Sequence, residues 1–313
     1  LESLGGGTAV LDYDLDGQLD VFFTGGGKYQ DKEILGLPSG LYRHADGLTF
    51  SPVTREADLG GDQLFTHGCH AGDFDNDGFP DLLVTGYGKL LLFHNQGDGT
   101  FLEIAQQAKL DNSLWSTSAG WGDFNADGLL DLYVCNYVNW SFANHPHCAG
   151  TDIGTTEICP PKQFDPLPDA IYYNNGDGTF RNAAKEAGLR IDGKGLGVML
   201  ADVNLDGHLD IYVANDTTDN FLYLNDGKGV FKEVGLLHSV ALDNSGSPNG
   251  SMGVDVGDYN GDGLPDIWVA NYEQESFALY ENVGKGTFLH VSDKAGVTAL
   301  GGLFVGFGTA FLD

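Results

Sequence analysis

Along the chain, small and apolar runs, acidic turns and runs of β-branched and aromatic residues follow one another in an order that recurs five times. The small apolar runs are GTAVL from Gly7, HGCHAG from His67, SAGWG from Ser118, GVML from Gly197 and GVDVG from Gly253. After each comes an acidic turn, and then LDVFFTG (Leu19), PDLLVTG (Pro80), LDLYVCNY (Leu130), LDIYVAND (Leu209) or PDIWVANY (Pro265). These later runs are too short and too β-branched for helices and predict buried strands. Each unit then carries HADGLTF (His44), NQGDGTF (Asn95), NNGDGTF (Asn174), NDGKGVF (Asn225) or NVGKGTF (Asn282). There Asn and Gly suit the positive φ of a tight hairpin, and the closing Phe starts the next strand.

Each unit therefore predicts strand, acidic loop, strand, strand, hairpin and strand. Four antiparallel strands in roughly 55 residues cannot bury both faces alone, so the sheets must stack, and radial stacking about a channel is the solution for such a repeat. The expectation is an all-β fold, a β-propeller of four-stranded antiparallel blades, spanning 1–313 as a single domain or a large part of one. The repeats fall at about 5–62, 63–112, 113–191 with an insertion at 139–170, 192–247 and 248–300. A sixth begins at 301–313, where Asp313 follows GFGTAFL much as Asp12 follows GGGTAVL.

The acidic turns read DYDLDGQLD from Asp12, DFDNDGFPD from Asp73, DFNADGLLD from Asp123, DVNLDGHLD from Asp202 and DYNGDGLPD from Asp258. Oxygen ligands at positions 1, 3 and 5, Gly at 6 and a carbonyl at 7 are what a hard cation such as calcium takes from a short loop; the last acid here lies at position 9. The expected ligands are Asp12, Asp14, Asp16, Asp20 and the Gln18 carbonyl; Asp73, Asp75, Asp77, Asp81 and the Phe79 carbonyl; Asp123, Asn125, Asp127, Asp131 and the Leu129 carbonyl; Asp202, Asn204, Asp206, Asp210 and the His208 carbonyl; and Asp258, Asn260, Asp262, Asp266 and the Leu264 carbonyl. About five structural Ca²⁺ ions are expected, bound tighter in the first two loops, which carry one more carboxylate than the others.

Fifteen Lys and Arg against 45 Asp and Glu give a net charge of −30, which opposes any phosphate-backbone ligand, so nucleic acid is excluded. No run approaches the roughly 20 apolar residues of a spanning helix, so membrane insertion is not expected.

At these loops the sequence resembles the FG-GAP/VCBS repeats of integrin α-subunit propellers. LGGGTAVLDYDLDGQLDVFF and CPPKQFDPLPDAIYYNNGDGTFRNAAKEAGL are similar to the cartilage acidic protein and ASPIC/UnbV group of secreted propellers. That resemblance implies a seven-bladed ring. With five complete units here, the favoured expectation is a piece of a longer protein, against a smaller ring closed by the sixth unit or a ring completed by another chain.

Cys148 and Cys159 both lie in the insertion and are expected to form a disulfide. Cys69 and Cys135, on strands of neighbouring blades, either pair or stay as buried thiols. His67 and His70 face opposite sides of a strand and read as polar residues near the channel; His145 and His147 read as part of a constrained contact loop rather than a zinc or copper site. Asn139, Asn215 and Asn249 open Asn-x-Ser/Thr tripeptides.

No G-x-S-x-G, H-E-x-x-H or phosphate loop is present, so the chain is read as non-catalytic. The expected function is a secreted or cell-surface scaffold for adhesion or binding of protein or glycan, with Tyr137, Trp140, Phe142 and Tyr272 as contact candidates. The alternatives are a propeller lyase or hydrolase acting on carbohydrate, and a self-associating surface or fibre protein.

Overall fold

A computed structural model describes residues 4–60, 64–149, 157–300, 302 and 304–312. Five four-stranded antiparallel sheets follow one another in chain order. The first comprises β1 (Thr8–Leu11), β2 (Asp20–Phe23), β5 (Gly40–Asp46) and β6 (Thr49–Pro52), with an extra hairpin, β3 (Gly27–Gln30) and β4 (Glu33–Gly36), between its second and third strands. The second holds β7 (Thr66–Gly72), β8 (Asp81–Gly86), β9 (Leu91–Asn95) and β10 (Phe101–Glu103). The third holds β11 (Ser116–Gly122), β12 (Asp131–Asn136), β13 (Ala170–Asn174) and β14 (Phe180–Asn182). The fourth is β15 (Gly195–Ala201), β16 (Asp210–Asn215), β17 (Phe221–Asn225) and β18 (Phe231–Glu233); the fifth is β19 (Gly253–Gly257), β20 (Asp266–Ala270), β21 (Ala278–Asn282) and β22 (Phe288–His290). This is the all-β propeller that the repeat predicts. Asp313, the first acid of a sixth loop, lies outside the described residues.

The second strands explain the continuous apolar runs. β8, β12 and β16 are buried at every position, because each lies in a blade covered on both faces. Their side chains alternate between the two neighbours: Leu82 and Val84 join Ala9, Phe22 and Leu41 of the first blade, whereas Leu83 joins Leu132, Val134 and Tyr172 of the third. In the same way Tyr133 and Cys135 face Ile211 and Val213.

The first strands run side by side around a channel with a cavity of about 510 Å³. Their glycines permit that approach. A Cβ on Gly68 would meet the Thr117 carbonyl at 2.7 Å, and one on Gly197 the Met252 carbonyl at 2.2 Å. Hydroxyls stitch the same seam: Thr24 Oγ1 donates to the His67 carbonyl, Thr85 Oγ1 to Thr117 and Thr117 Oγ1 to Gly195, at 2.8–3.0 Å.

The insertion joins β12 to β13 and is closed by the Cys148–Cys159 disulfide. Cys69 and Cys135 are buried free thiols. His67 Nε2 accepts from Trp115 Nε1 (2.9 Å), and His70 Nε2 from the Ala119 backbone (3.0 Å), so both histidines hold blades together. No helix among the described residues is long and apolar enough to cross a membrane.

Candidate metal centres

Each acidic loop is shaped by its own first and last aspartates. In the first loop, Asp12 accepts from the backbone N–H groups of Asp16 (3.0 Å) and Gly17 (2.9 Å). Asp73, Asp123, Asp202 and Asp258 repeat this, and the N–H groups around Asp258 hold its carboxyl below the usual range. The position-5 carboxylates of Asp16, Asp77, Asp127, Asp206 and Asp262 accept from the N–H of Gln18, Phe79, Leu129, His208 and Leu264. These bonds hold Leu15, Asn76, Ala126 and Leu205 at φ of 55° to 61°, a left-handed conformation that costs a non-glycine residue about 1 kcal/mol or more.

The position-9 aspartates are buried completely: Asp20, Asp81, Asp131, Asp210 and Asp266 each show 0% exposure. Each bridges two elements. One oxygen of Asp81 accepts from the N–H of Phe74 in the loop (3.1 Å), the other from Asn95 at the end of the third strand (2.9 Å), and the other four make the equivalent pair. Burial pushes the carboxyls of Asp81 and Asp210 up to about 7, that of Asp131 up to about 6, and those of Asp20 and Asp266 upward.

The carboxylates cluster most closely in the first two loops. Oxygens of Asp12, Asp14 and Asp20 lie within 4.8 Å of one another, as do those of Asp73, Asp75 and Asp81. Asp14 Oδ1 is buried with no hydrogen-bond partner. In the remaining loops an amide replaces the position-3 acid, and Asn125, Asn204 and Asn260 donate to Asp127, Asp206 and Asp262 at 2.9–3.0 Å. An orphaned carboxylate oxygen in an all-oxygen donor set fits a hard divalent ion.

Three features escape the loop motif. Arg43 places Nε 2.7 Å from Asp14 and a terminal nitrogen 2.9 Å from Asp16, offsetting the extra charge of the first loop. His94, in the corresponding place of the second blade, lies beside Asp75 and Asp77. The third is an asparagine that reaches between blades. Asn95 Nδ2 donates to the Tyr13 carbonyl in the preceding blade's loop (2.8 Å) and to Pro80 in its own (3.3 Å), while its Oδ1 accepts from Gly97 (3.0 Å). Asn174, Asn225 and Asn282 repeat it onto Phe74, Phe124 and Val203. The sequence signal is the Asn that opens the last four hairpin motifs, a residue that turn chemistry also accounts for; the first blade has His44 there.

The contact candidates separate. Tyr137 is buried, its hydroxyl donating to Asp216, and it packs between blades. Trp140 and Phe142 meet Tyr29 of the β3–β4 hairpin, with ring centroids 6.1 Å and 5.5 Å away, and so form one aromatic patch. Tyr272 is half exposed and contributes nothing to that patch. Trp140 Nε1 donates to His145 Nδ1 (2.8 Å), which occupies that nitrogen. Asn215 is buried with its side chain bonded to Lys194 and Asp219, so that tripeptide serves packing.

A sequence profile described as an FG-GAP-like repeat matches residues 12–84, 73–134, 164–213 and 202–269. Cartilage acidic protein 1 of Xenopus tropicalis is 25% identical over 280 residues, covering 85% of this chain and 40% of that protein. The Homo sapiens protein of that name is 28% identical over 168 residues, 41% of this chain and 24% of its own length. The chain thus spans less than half of either relative. Among solved structures, an Agrocybe aegerita lectin that recognises non-reducing terminal N-acetylglucosamine superposes with a TM-score of 0.51 at 20% identity, covering 91% of this chain and 64% of the lectin, a likeness of fold.

Proposed function

This chain belongs to the family of FG-GAP-like repeat proteins, and on that footing we propose that it is an extracellular, calcium-stabilised propeller that presents a loop face to a protein or glycan ligand. The observation that carries the calcium reading is the first loop, where three carboxylates crowd together and a buried Asp14 oxygen has no partner. A divalent ion supplies the opposite charge, and the residues to hold it are the five loop sets from Asp12, Asp73, Asp123, Asp202 and Asp258. It also keeps the position-9 aspartates ionised despite their burial.

Extracellular modules bind calcium at about 10⁻⁴–10⁻³ M, so a site with a dissociation constant near 0.1 mM adds roughly 1.4 kcal/mol in millimolar calcium. Five sites add about 7 kcal/mol, comparable with a domain's whole net stability, which makes the ions structural. The disulfide and calcium sites of this strength both suit an oxidising, calcium-rich exterior. The contact face is assigned to Tyr29, Trp140 and Phe142, where exposed and half-buried rings converge on the disulfide-closed insertion.

The test is calorimetric melting with calcium and with chelator. A fall on the order of 14 °C is expected from 7 kcal/mol at about 2 °C per kcal/mol, and an unchanged transition refutes the calcium reading. A glycan array set beside capture of protein partners then separates a lectin from a protein binder, with Trp140→Ala expected to abolish either.

A further inference from the structure

Three neighbouring strands on the channel break their ladders at one level. β7 shifts register between Thr66 and Cys69, β11 between Ser116 and Ala119, and β15 between Gly195 and Gly197. Such bulges re-aim side chains, and here His67, Thr117, Ser118 and Leu196 all come to line the channel cavity of about 510 Å³. His67 is only 3% exposed. Its Nε2 accepts from Trp115 Nε1 (2.9 Å), and because an indole nitrogen is a donor only, Nε2 must carry the lone pair. Burial pushes the ring down to about 3, so the imidazole is neutral and its single proton sits on Nδ1. That N–H has no hydrogen-bond partner among the described residues. The Gly5 backbone, another wall of the cavity, is the weakest influence on the ring and makes no well-directed bond with it. With Nε2 turned to Trp115, the edge that meets Gly5 is the Nδ1 edge, so the orphaned donor faces the cavity. We infer that the channel is a binding site for a small uncharged molecule that sets an acceptor oxygen, carbonyl or hydroxyl, against His67 Nδ1–H and an apolar body against Leu196, Val198, Met252 and Val254.

None of the described residues lining this cavity is Asp, Glu, Lys or Arg, although the chain carries a net charge of −30. A charged ligand would lose hydration there and meet no opposite charge, which selects a neutral one. A buried donor is costly to leave unmade; a ligand oxygen relieves it and a hydrocarbon does not. Apolar walls with a few placed polar groups are what small-molecule sites use, and the Ser118 hydroxyl stands at the same level as a second such group.

The probe is cyclohexanone, titrated into the full chain in millimolar calcium and followed on the histidine ring nitrogens by ¹⁵N NMR. Binding should move the His67 Nδ1–H resonance, and methylenecyclohexane, of similar shape without the oxygen, should bind more weakly. His67→Gln offers Trp115 an acceptor where Nε2 was but leaves no donor at the Nδ1 position, and should weaken cyclohexanone by about threefold to tenfold. His67→Asn keeps an N–H near the Nδ1 position and should hold the affinity within about twofold. In both variants the ring of His70, which also lines the cavity, reports binding. No binding by the wild type up to the solubility of cyclohexanone, equal affinity for methylenecyclohexane, or a folded His67→Gln that binds as the wild type does overturns the inference. Loss in both variants also overturns it, since the effect then lies in the Trp115 contact. If His67→Gln does not fold, by circular dichroism, the comparison of the two probes in the wild type decides.

Discussion

Replacing Asn225 by Ala removes three hydrogen bonds at once. Its Nδ2 donates to Phe124 of the third blade's loop (2.9 Å) and to Leu209 of its own (3.0 Å), and its Oδ1 accepts from Gly227 (3.0 Å). At about 1 kcal/mol net for each bond, the loss is about 3 kcal/mol, more if the Phe124 carbonyl finds no water. For a chain of this size that is a fall of about 6 °C in the calorimetric Tm at saturating calcium. Asn225→Asp is nearly isosteric, but turns the donor into an acceptor facing two carbonyls, so it should cost at least as much. Asn175→Ala is the control, since that side chain is exposed and reaches only Thr179 (3.0 Å); it should stay within about 0.5 kcal/mol. A fall of less than about 1 kcal/mol for Asn225→Ala, or a harmless Asn225→Asp, would refute the clamp.

Arg43→Met should tighten calcium at the first loop, because it removes a guanidinium bound to two of the proposed ligands; unchanged or weaker affinity by calorimetry would show that Arg43 does not compete. Gly197→Ala should lower Tm markedly, since its Cβ would sit 2.2 Å from the Met252 carbonyl, whereas Gly17→Ala, with open space at its Cβ, tests φ alone. Asp169 is wholly buried against Asn136 N–H (2.7 Å) and Tyr133 hydroxyl (2.8 Å), and burial pushes its carboxyl up to about 7 from 3.8. Its folded-state value is the raised one, so its contribution is complete below about pH 4 and is lost as pH rises through 7. Asp169→Asn should therefore flatten denaturant-measured stability between pH 5 and 8 in calcium, and an unaltered slope counts against it.

Much of this architecture is legible in the sequence because the repeat imposes the same local rules five times. DLLVTG and DLYVCN read as buried strands, and the Asp-Gly loops and Asn-Gly hairpins announce their own turns. Cys148 and Cys159 pair as their shared insertion suggests. What stays hidden depends on groups far apart in sequence. Asn174 serves Phe74, 100 residues away, and nothing local distinguishes that role from the turn beside it. Arg43 and His94 are separated from the loops they overhang by a whole strand, so counting carboxylates along the motif misses the charge that the fold brings back to them. Tyr137 and Trp140 look alike as aromatics just beyond β12, yet the fold buries one against Trp115 and leaves the other half-buried in the patch with Tyr29.

The interblade asparagines all point the same way, from each blade to the loop of the one before it. The loop end of the assembly therefore has a polarity that the channel end opposes: each asparagine depends on the loop of the blade before it, whereas the threonines Thr24, Thr85 and Thr117 lean on the backbone of the blade after. Damage to one loop should therefore loosen the next blade at its loop end first, while the threonine seam still fastens the two together at the channel.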